Sequence, residues 1–190
     1  MLDHKFKKKY GQNFLMDKNI LNKICESISP NKNDLIIEIG PGSGNLTKRL
    51  KDYEANLVCF EIDKSLDKYL NLLEDDKTKI VYEDFMNINL DEFVKNYNYE
   101  NIYVIANIPY YITTPIIEKI TFSNIRVKSL LLMVQKEVAD RLSSNNGNKE
   151  YGYITVLLNA FYDINKLFNV TLSTHEHTAT IIVVTLFPEK

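Results

Sequence analysis

The stretch LIIEIGPGSGNLTKRL, residues 35–50, constrains the fold more than any other part of the chain. It opens as an apolar run of strand length, passes through glycines at 40, 42 and 44, and resumes with helix-forming residues. A buried strand turning through glycine into a helix is the entry unit of an α/β sheet, and its tight turn lets the backbone approach a ligand closely. The same alternation continues downstream, so the architecture expected is a mostly parallel sheet covered by helices on both faces.

Asp17 is placed to cap a helix from about Lys18 to Ile28, with Ile20, Leu21, Ile24 and Ile28 on one face and Pro30-Asn31 closing it. After the glycine loop a helix is expected over Asn45 to Asp52, a second strand over Asn56 to Ile62, and a helix capped by Ser65 running to about Glu74. KIVYED supplies a third strand, residues near Leu90 to Tyr97 a helix, NIYVIAN a fourth strand, Thr114 to Phe122 a helix, and SLLLMVQ a fifth strand leading into a helix through Arg141. SSNNGNKEYG, residues 143–152, reads as a surface loop. YITVLLNAFYDINKLFNV and TATIIVVTLFP then read as two long strands forming an antiparallel hairpin at one edge, which brings the expected sheet to seven strands.

A chain of 190 residues with 45% hydrophobic content is expected to form one domain with a sizeable core, residues 1–16 being a basic arm. No window approaches the roughly 18 uninterrupted apolar residues of a membrane span, and a cytoplasmic, monomeric protein with no membrane partner is the expectation. Cys25 and Cys59 sit in apolar surroundings without C-x-x-C spacing and read as reduced, buried thiols. His175 and His177 alternate without further ligands, so no metal is expected. The net charge of -2 excludes a uniformly cationic nucleic-acid wrapper, yet Lys5, Lys7, Lys8 and Lys9 cluster with His4, Phe6 and Tyr10. That arm is either a solvated terminus or a phosphate-contacting segment.

The glycines follow G-x-G-x-G, with Asn45 where a dinucleotide fingerprint would have its third glycine. Glu61, about 20 residues downstream at a strand end, suits the two hydroxyls of a ribose. Asp84, at the end of the third strand, suits an exocyclic amine such as that of adenine. Each acid read singly is equally a helix cap. Together with the glycines they describe an adenosine pocket, and no lysine or arginine within the loop Gly40 to Leu46 neutralises a pyrophosphate. A cationic adenosine ligand, S-adenosylmethionine, fits better than NAD.

VIANIPYYITTP, residues 104–115, puts a carboxamide, a proline and an aromatic ring at the mouth of the fourth strand. Pro109 fixes its own φ and biases Ile108 to an extended conformation, so both carbonyls can face a cleft. Read alone, NIPY is equally a turn or a site.

KKYGQNFLMD, EIGPGSGNLT, FEID, EDF, NIPYYITTPII and VQKEVADRL followed by YGYITV resemble, in order and spacing, the KsgA-type ribosomal RNA adenine N6-dimethyltransferases. The resemblance covers residues 7 to 170; the related Erm methyltransferases share the first blocks and the NIPY. It implies a Rossmann-like class I methyltransferase fold and transfer of two methyl groups from S-adenosylmethionine to an adenine N6 in small-subunit ribosomal RNA. It further implies cofactor contacts from Gln12, Asn13, Leu15, Gly40, Gly42, Gly44, Glu61, Ile62, Asp84, Phe85 and Asn107. Asn107, Pro109 and Tyr110 would form the catalytic group: Asn107 and neighbouring carbonyls accept the target N–H bonds, and Tyr110 stacks on the base. Lys5, Lys7, Lys8 and Lys9 would contact RNA.

After FNV the family has a loop F-x-P-x-P-x-V-x-S whose phenylalanine stacks on the opposite face of the base, and TLSTHEHTATII has no counterpart of it. Nor does the sequence given contain residues for the family's small helical carboxyl-terminal domain. Alternatives are an Erm-like enzyme acting on large-subunit RNA, a non-catalytic RNA-binding assembly factor of the same fold, and an NAD-dependent oxidoreductase, the last disfavoured by the glycine spacing.

Overall fold

A computed structural model describes residues 17–107, 110–144, 152–171 and 178–186. Its centre is a seven-stranded sheet. The strands are β1 (Leu35–Ile39), β2 (Asn56–Phe60), β3 (Thr78–Val81), β4 (Ile102–Asn107), β5 (Val127–Gln135), β6 (Tyr162–Thr171) and β7 (Thr178–Leu186), in the order β3-β2-β1-β4-β5-β7-β6. The pairs β1/β2, β2/β3, β1/β4 and β4/β5 are parallel, whereas β7 runs antiparallel to both β5 and β6. The order reverses at β1, where Ile37 pairs with Val58 on one side and Val104 on the other. In an open α/β sheet this reversal is where a crevice opens beyond the strand ends.

Every residue of β1 is buried, as a strand covered on both faces requires. One core holds Leu35, Ile37 and Ile39 against α4 (Leu90–Phe93), α5 (Thr113–Phe122), α6 (Lys136–Leu142) and α7 (Tyr153–Phe161). The other holds Ile36 and Leu57 against α1 (Lys18–Glu26), α2 (Asn45–Leu50) and α3 (Asp67–Leu70). Strand residues alternate between these two layers, which is the period of two expected of β backbone. Asp17 caps α1 as expected, its Oδ1 accepting from Asn19 N at 2.8 Å and Ile20 N at 3.3 Å.

Two expectations about elements require correction. The segment YITVLLNAF is not strand but α7, and β6 begins only at Tyr162. An almost wholly apolar run conceals its period, but tertiary packing buries Ile154, Leu157 and Leu158, a helical spacing, and leaves Val156 half exposed. Gly152 O accepts from Thr155 N and Val156 N to start the helix, and Thr155 Oγ1 donates to Arg141 O at 2.8 Å, tying α7 to α6. The second correction concerns the helix after β2, which is capped by Asp63 rather than Ser65. Asp63 Oδ1 accepts from Ser65 N at 3.0 Å and Ser65 Oγ at 2.6 Å, and tight three-residue turns flank α3 on both sides.

Asp34, fully buried before β1, contributes a brace that the sequence did not single out. Its Oδ2 accepts from Asn31 N at 2.8 Å, and its Oδ1 from Asn101 N and Nδ2 at 3.0 and 2.7 Å, fixing the entries of β1 and β4 together.

Candidate functional site

The glycine loop leaves β1 at the reversal point with Gly40, Gly42 and Gly44 at φ 73°, 59° and 78°, all left-handed. For Gly44 the requirement is also steric: a Cβ there would stand 2.5 Å from Leu73 Cδ1, so this glycine admits the turn after α3 into contact. Gly40 N donates to Phe60 O at 2.9 Å and Gly44 N to Pro41 O at 3.0 Å, which closes the turn before α2. Gly42 N donates to Glu61 Oε2 at 3.1 Å.

Glu61 follows β2, its N–H donating to Val81 O at 3.0 Å. Only 3% of the residue is exposed, and its Oε1 accepts from Asp63 N at 2.9 Å. Burial raises its pKa, while the backbone N–H groups of Asp63 and Gly42 work against that rise. The expected ribose acid therefore braces the glycine loop. A carboxylate accepts several hydrogen bonds at once, so this bracing leaves lone pairs for a hydroxyl.

Glu38, within β1, belongs to the same region and was missed by sequence reasoning. It is 2% exposed, and its Oε2 accepts from Thr47 Oγ1 of α2 at 2.7 Å and from Cys59 Sγ of β2 at 3.4 Å. Burial pushes its pKa up to about 7, opposed by those two hydrogen bonds and reinforced by the nearby charge of Glu61. The available signal was an acid inside the otherwise apolar LIIEI, two residues before the loop.

Asp84 begins the turn after β3 and is half-buried, its Oδ1 accepting from Met86 N at 2.9 Å. Phe85 is 4% exposed and meets Phe60 edge-on at 5.4 Å, so this residue, expected at the cofactor, contributes to the core beneath it. Ile62, half exposed, lies just beyond β2. Asn107 is the last residue of β4, half-buried and in register with Met133 of β5. Tyr110 opens a short turn, Tyr110–Ile112, that leads into α5.

Since β3, β2, β1 and β4 are consecutive neighbours, the ends carrying Asp84, Glu61, Gly40 and Asn107 span roughly 14 Å at the usual strand spacing. That is the length of an extended adenosine bearing an amino-acid tail. The loop between β1 and α2 presents backbone and buried acids with no lysine or arginine of its own, a donor set suited to a cation rather than a pyrophosphate. Gln12, Asn13, Leu15, Lys5, Lys7, Lys8, Lys9, Pro109, His175 and His177 lie outside the described residues, as does the side chain of Tyr110. Among the described residues no group of three or more His, Cys, Asp or Glu is arranged to hold a metal ion. No helix among them is long and apolar enough to cross a membrane.

Residues 3–188 match the family Ribosomal RNA adenine dimethylase. The chain is 41% identical over 169 residues to the ribosomal RNA small subunit methyltransferase A of Lachnoclostridium phytofermentans, covering 87% of this chain and 58% of that protein. It is 40% identical over 162 residues to the Clostridioides difficile protein of the same name, covering 84% and 56% respectively. The chain thus spans somewhat over half the length of the curated relatives it matches. Its fold is similar to that of a dimethyladenosine transferase from Plasmodium falciparum, with TM-score 0.80, 24% identity, and coverage of 92% of this chain and 64% of that one. It is also similar to the 23S rRNA methyltransferase ErmE, with TM-score 0.77, 22% identity, and coverage of 93% and 71%. With nearly its whole length matched, the chain belongs to the ribosomal RNA adenine dimethylase family.

Proposed function

We propose that the chain carries the catalytic portion of an S-adenosylmethionine-dependent enzyme that methylates an adenine N6 in small-subunit ribosomal RNA, giving N6,N6-dimethyladenosine. The observation that carries this reading is the glycine loop hydrogen-bonded to buried Glu61, one strand away from Asn107 at the end of β4. Family membership supplies the substrate class.

Glu61 holds the ribose hydroxyls, Asp84 the cofactor adenine amine, and the backbone of Gly40 and Gly42 the part of the cofactor that extends from the ribose towards Asn107. Bound there, the cofactor supplies an electrophilic methyl group on a cationic sulfur. The adenine amine is a weak nucleophile because its lone pair is delocalised into the ring. Asn107 Oδ1, with a carbonyl from Ile108 or Pro109, accepts its two N–H bonds and favours a pyramidal nitrogen directed at the methyl group. The methylated amine is cationic and loses its proton to water, so no side chain is required as general base. Tyr110 stacks on the extruded base. Gln12, Asn13 and Leu15 complete the cofactor pocket, and Lys5, Lys7, Lys8 and Lys9 contact phosphates of the RNA.

The test is transfer of labelled methyl from S-adenosylmethionine to under-methylated small ribosomal subunits. The chain is expected to label an adenine and Asn107→Ala to lose about 100-fold or more, the scale for removing a preorganised acceptor or donor at a reacting centre. Absence of transfer by the unmodified chain while it binds both cofactor and RNA would make it a non-catalytic binding factor. With large subunits offered in parallel, labelling of their RNA and not of the small subunits would reassign the substrate.

A further inference from the structure

The turn joining β4 to α5 presents an aromatic ring that the core does not use. Tyr111 is 71% exposed, although Ile112 next to it packs against the core and Thr113 is buried. Tyr103 in β4 and Tyr162 at the start of β6 are by contrast 3% and 4% exposed. Tyr111 lies four residues beyond Asn107, and Asn107 pairs with Met133 of β5. Three residues past Met133 is Lys136, exposed at the first position of α6. The segments that follow two adjacent parallel strands therefore each present an exposed side chain, the Tyr111 ring after β4 and the Lys136 ammonium after β5.

Stacking on an aromatic face and charge at the phosphate are the two contacts by which single-stranded nucleic acid is held. A protein-docking patch would need contiguous apolar area. The next exposed aromatic along this segment, Phe122, lies at the far end of α5, roughly 15 Å away at 1.5 Å per residue.

We propose that Tyr111 is a substrate-binding residue that stacks on the nucleotide next to the target adenine, with Lys136 at the phosphate between them. The proposal deepens the methyltransferase reading and rests on Asn107 marking where the target amine lies. It separates the ring that holds the target base from a second ring that holds its neighbour, so that an extruded adenine is gripped by its flank as well.

Three quantities are to be measured for Tyr111→Ala, Tyr111→Phe and Lys136→Gln: affinity for a short single-stranded RNA containing adenine, KM for RNA in methyl transfer, and cofactor affinity by calorimetry. Tyr111→Ala is expected to weaken RNA binding and raise KM about 10-fold or more, the range for loss of one base-stacking aromatic. Tyr111→Phe should retain both, and cofactor affinity should not change in either variant. Lys136→Gln should lower the slope of log affinity against log salt by about 0.7. Wild-type RNA affinity and KM in Tyr111→Ala would overturn the proposal while leaving the methyltransferase reading intact. Tyr111-dependent RNA binding without methyl transfer would have the opposite result. If Tyr111→Ala weakened association with assembled subunits but not with protein-free RNA, the ring would dock on protein and the proposal would fail.

Discussion

Glu38 and Glu61 show at the residue scale how two buried acids flanking the glycine loop are held by different partners. Glu38 is braced from the helix layer by Thr47 and from the neighbouring strand by Cys59, whereas Glu61 is braced by backbone N–H groups of the loop itself and of Asp63. Because the folded-state pKa of Glu38 is raised to about 7 from 4.5, the folded state holds its proton more tightly than the unfolded state does. Stability is therefore highest at low pH with respect to this group and falls as pH rises from about 4.5 to about 7, levelling off above. The displacement corresponds to about 3 kcal/mol. Glu38→Gln keeps an acceptor for Thr47 and abolishes the titration, so urea unfolding should give a flatter stability–pH profile through that window. Parallel profiles for the two proteins would show that Glu38 does not titrate there.

At the scale of elements, α7 is where local pattern and packing part company. A strand would place residues 154, 156 and 158 on one face, whereas the helix buries Ile154 and Leu158 and turns Val156 outward. Leu158→Ala is expected to cost about 2–5 kcal/mol in chemical denaturation, as for other fully buried leucines, and Val156→Asp less than about 1 kcal/mol. Equal, large losses at both positions would indicate that they share a buried face. The glycine loop is the contrasting element, since its strand–turn–helix character was legible from residues 35–50 alone. The left-handed glycines appear where the spacing requires them.

For the whole molecule, the sheet order gathers groups that are far apart in sequence. The proposed cofactor site draws on the ends of β1, β2, β3 and β4 but not on the antiparallel hairpin β6/β7, which lies at the opposite edge. A ligand that binds only the folded chain stabilises it by about 2.7 kcal/mol at 100 times its dissociation constant. S-adenosylhomocysteine at that excess should therefore raise the melting temperature by several degrees, whereas NAD at equal concentration should not. Glu61→Ala should reduce that shift and weaken cofactor affinity about 10-fold or more in calorimetry. An NAD-induced shift equal to that of S-adenosylhomocysteine would revive the dinucleotide reading.

The sequence by itself determined the alternation of strands and helices, the glycine loop, the strand-end acids and the polar mouth of β4, because each depends on local period, glycine backbone or neighbours within a few residues. Its six ordered blocks also identified the family. Tertiary structure alone decided that YITVLLNAF is helical, that Phe85 is buried in the core against Phe60, and that Glu38 is buried between Thr47 and Cys59. It also decided that Tyr111 and Lys136, each just after one of two neighbouring strands, remain in solvent. These depend on which distant surfaces cover a residue: an apolar run carries no mark of its period, and a charge or a ring is given its environment only when the strands on either side are in place.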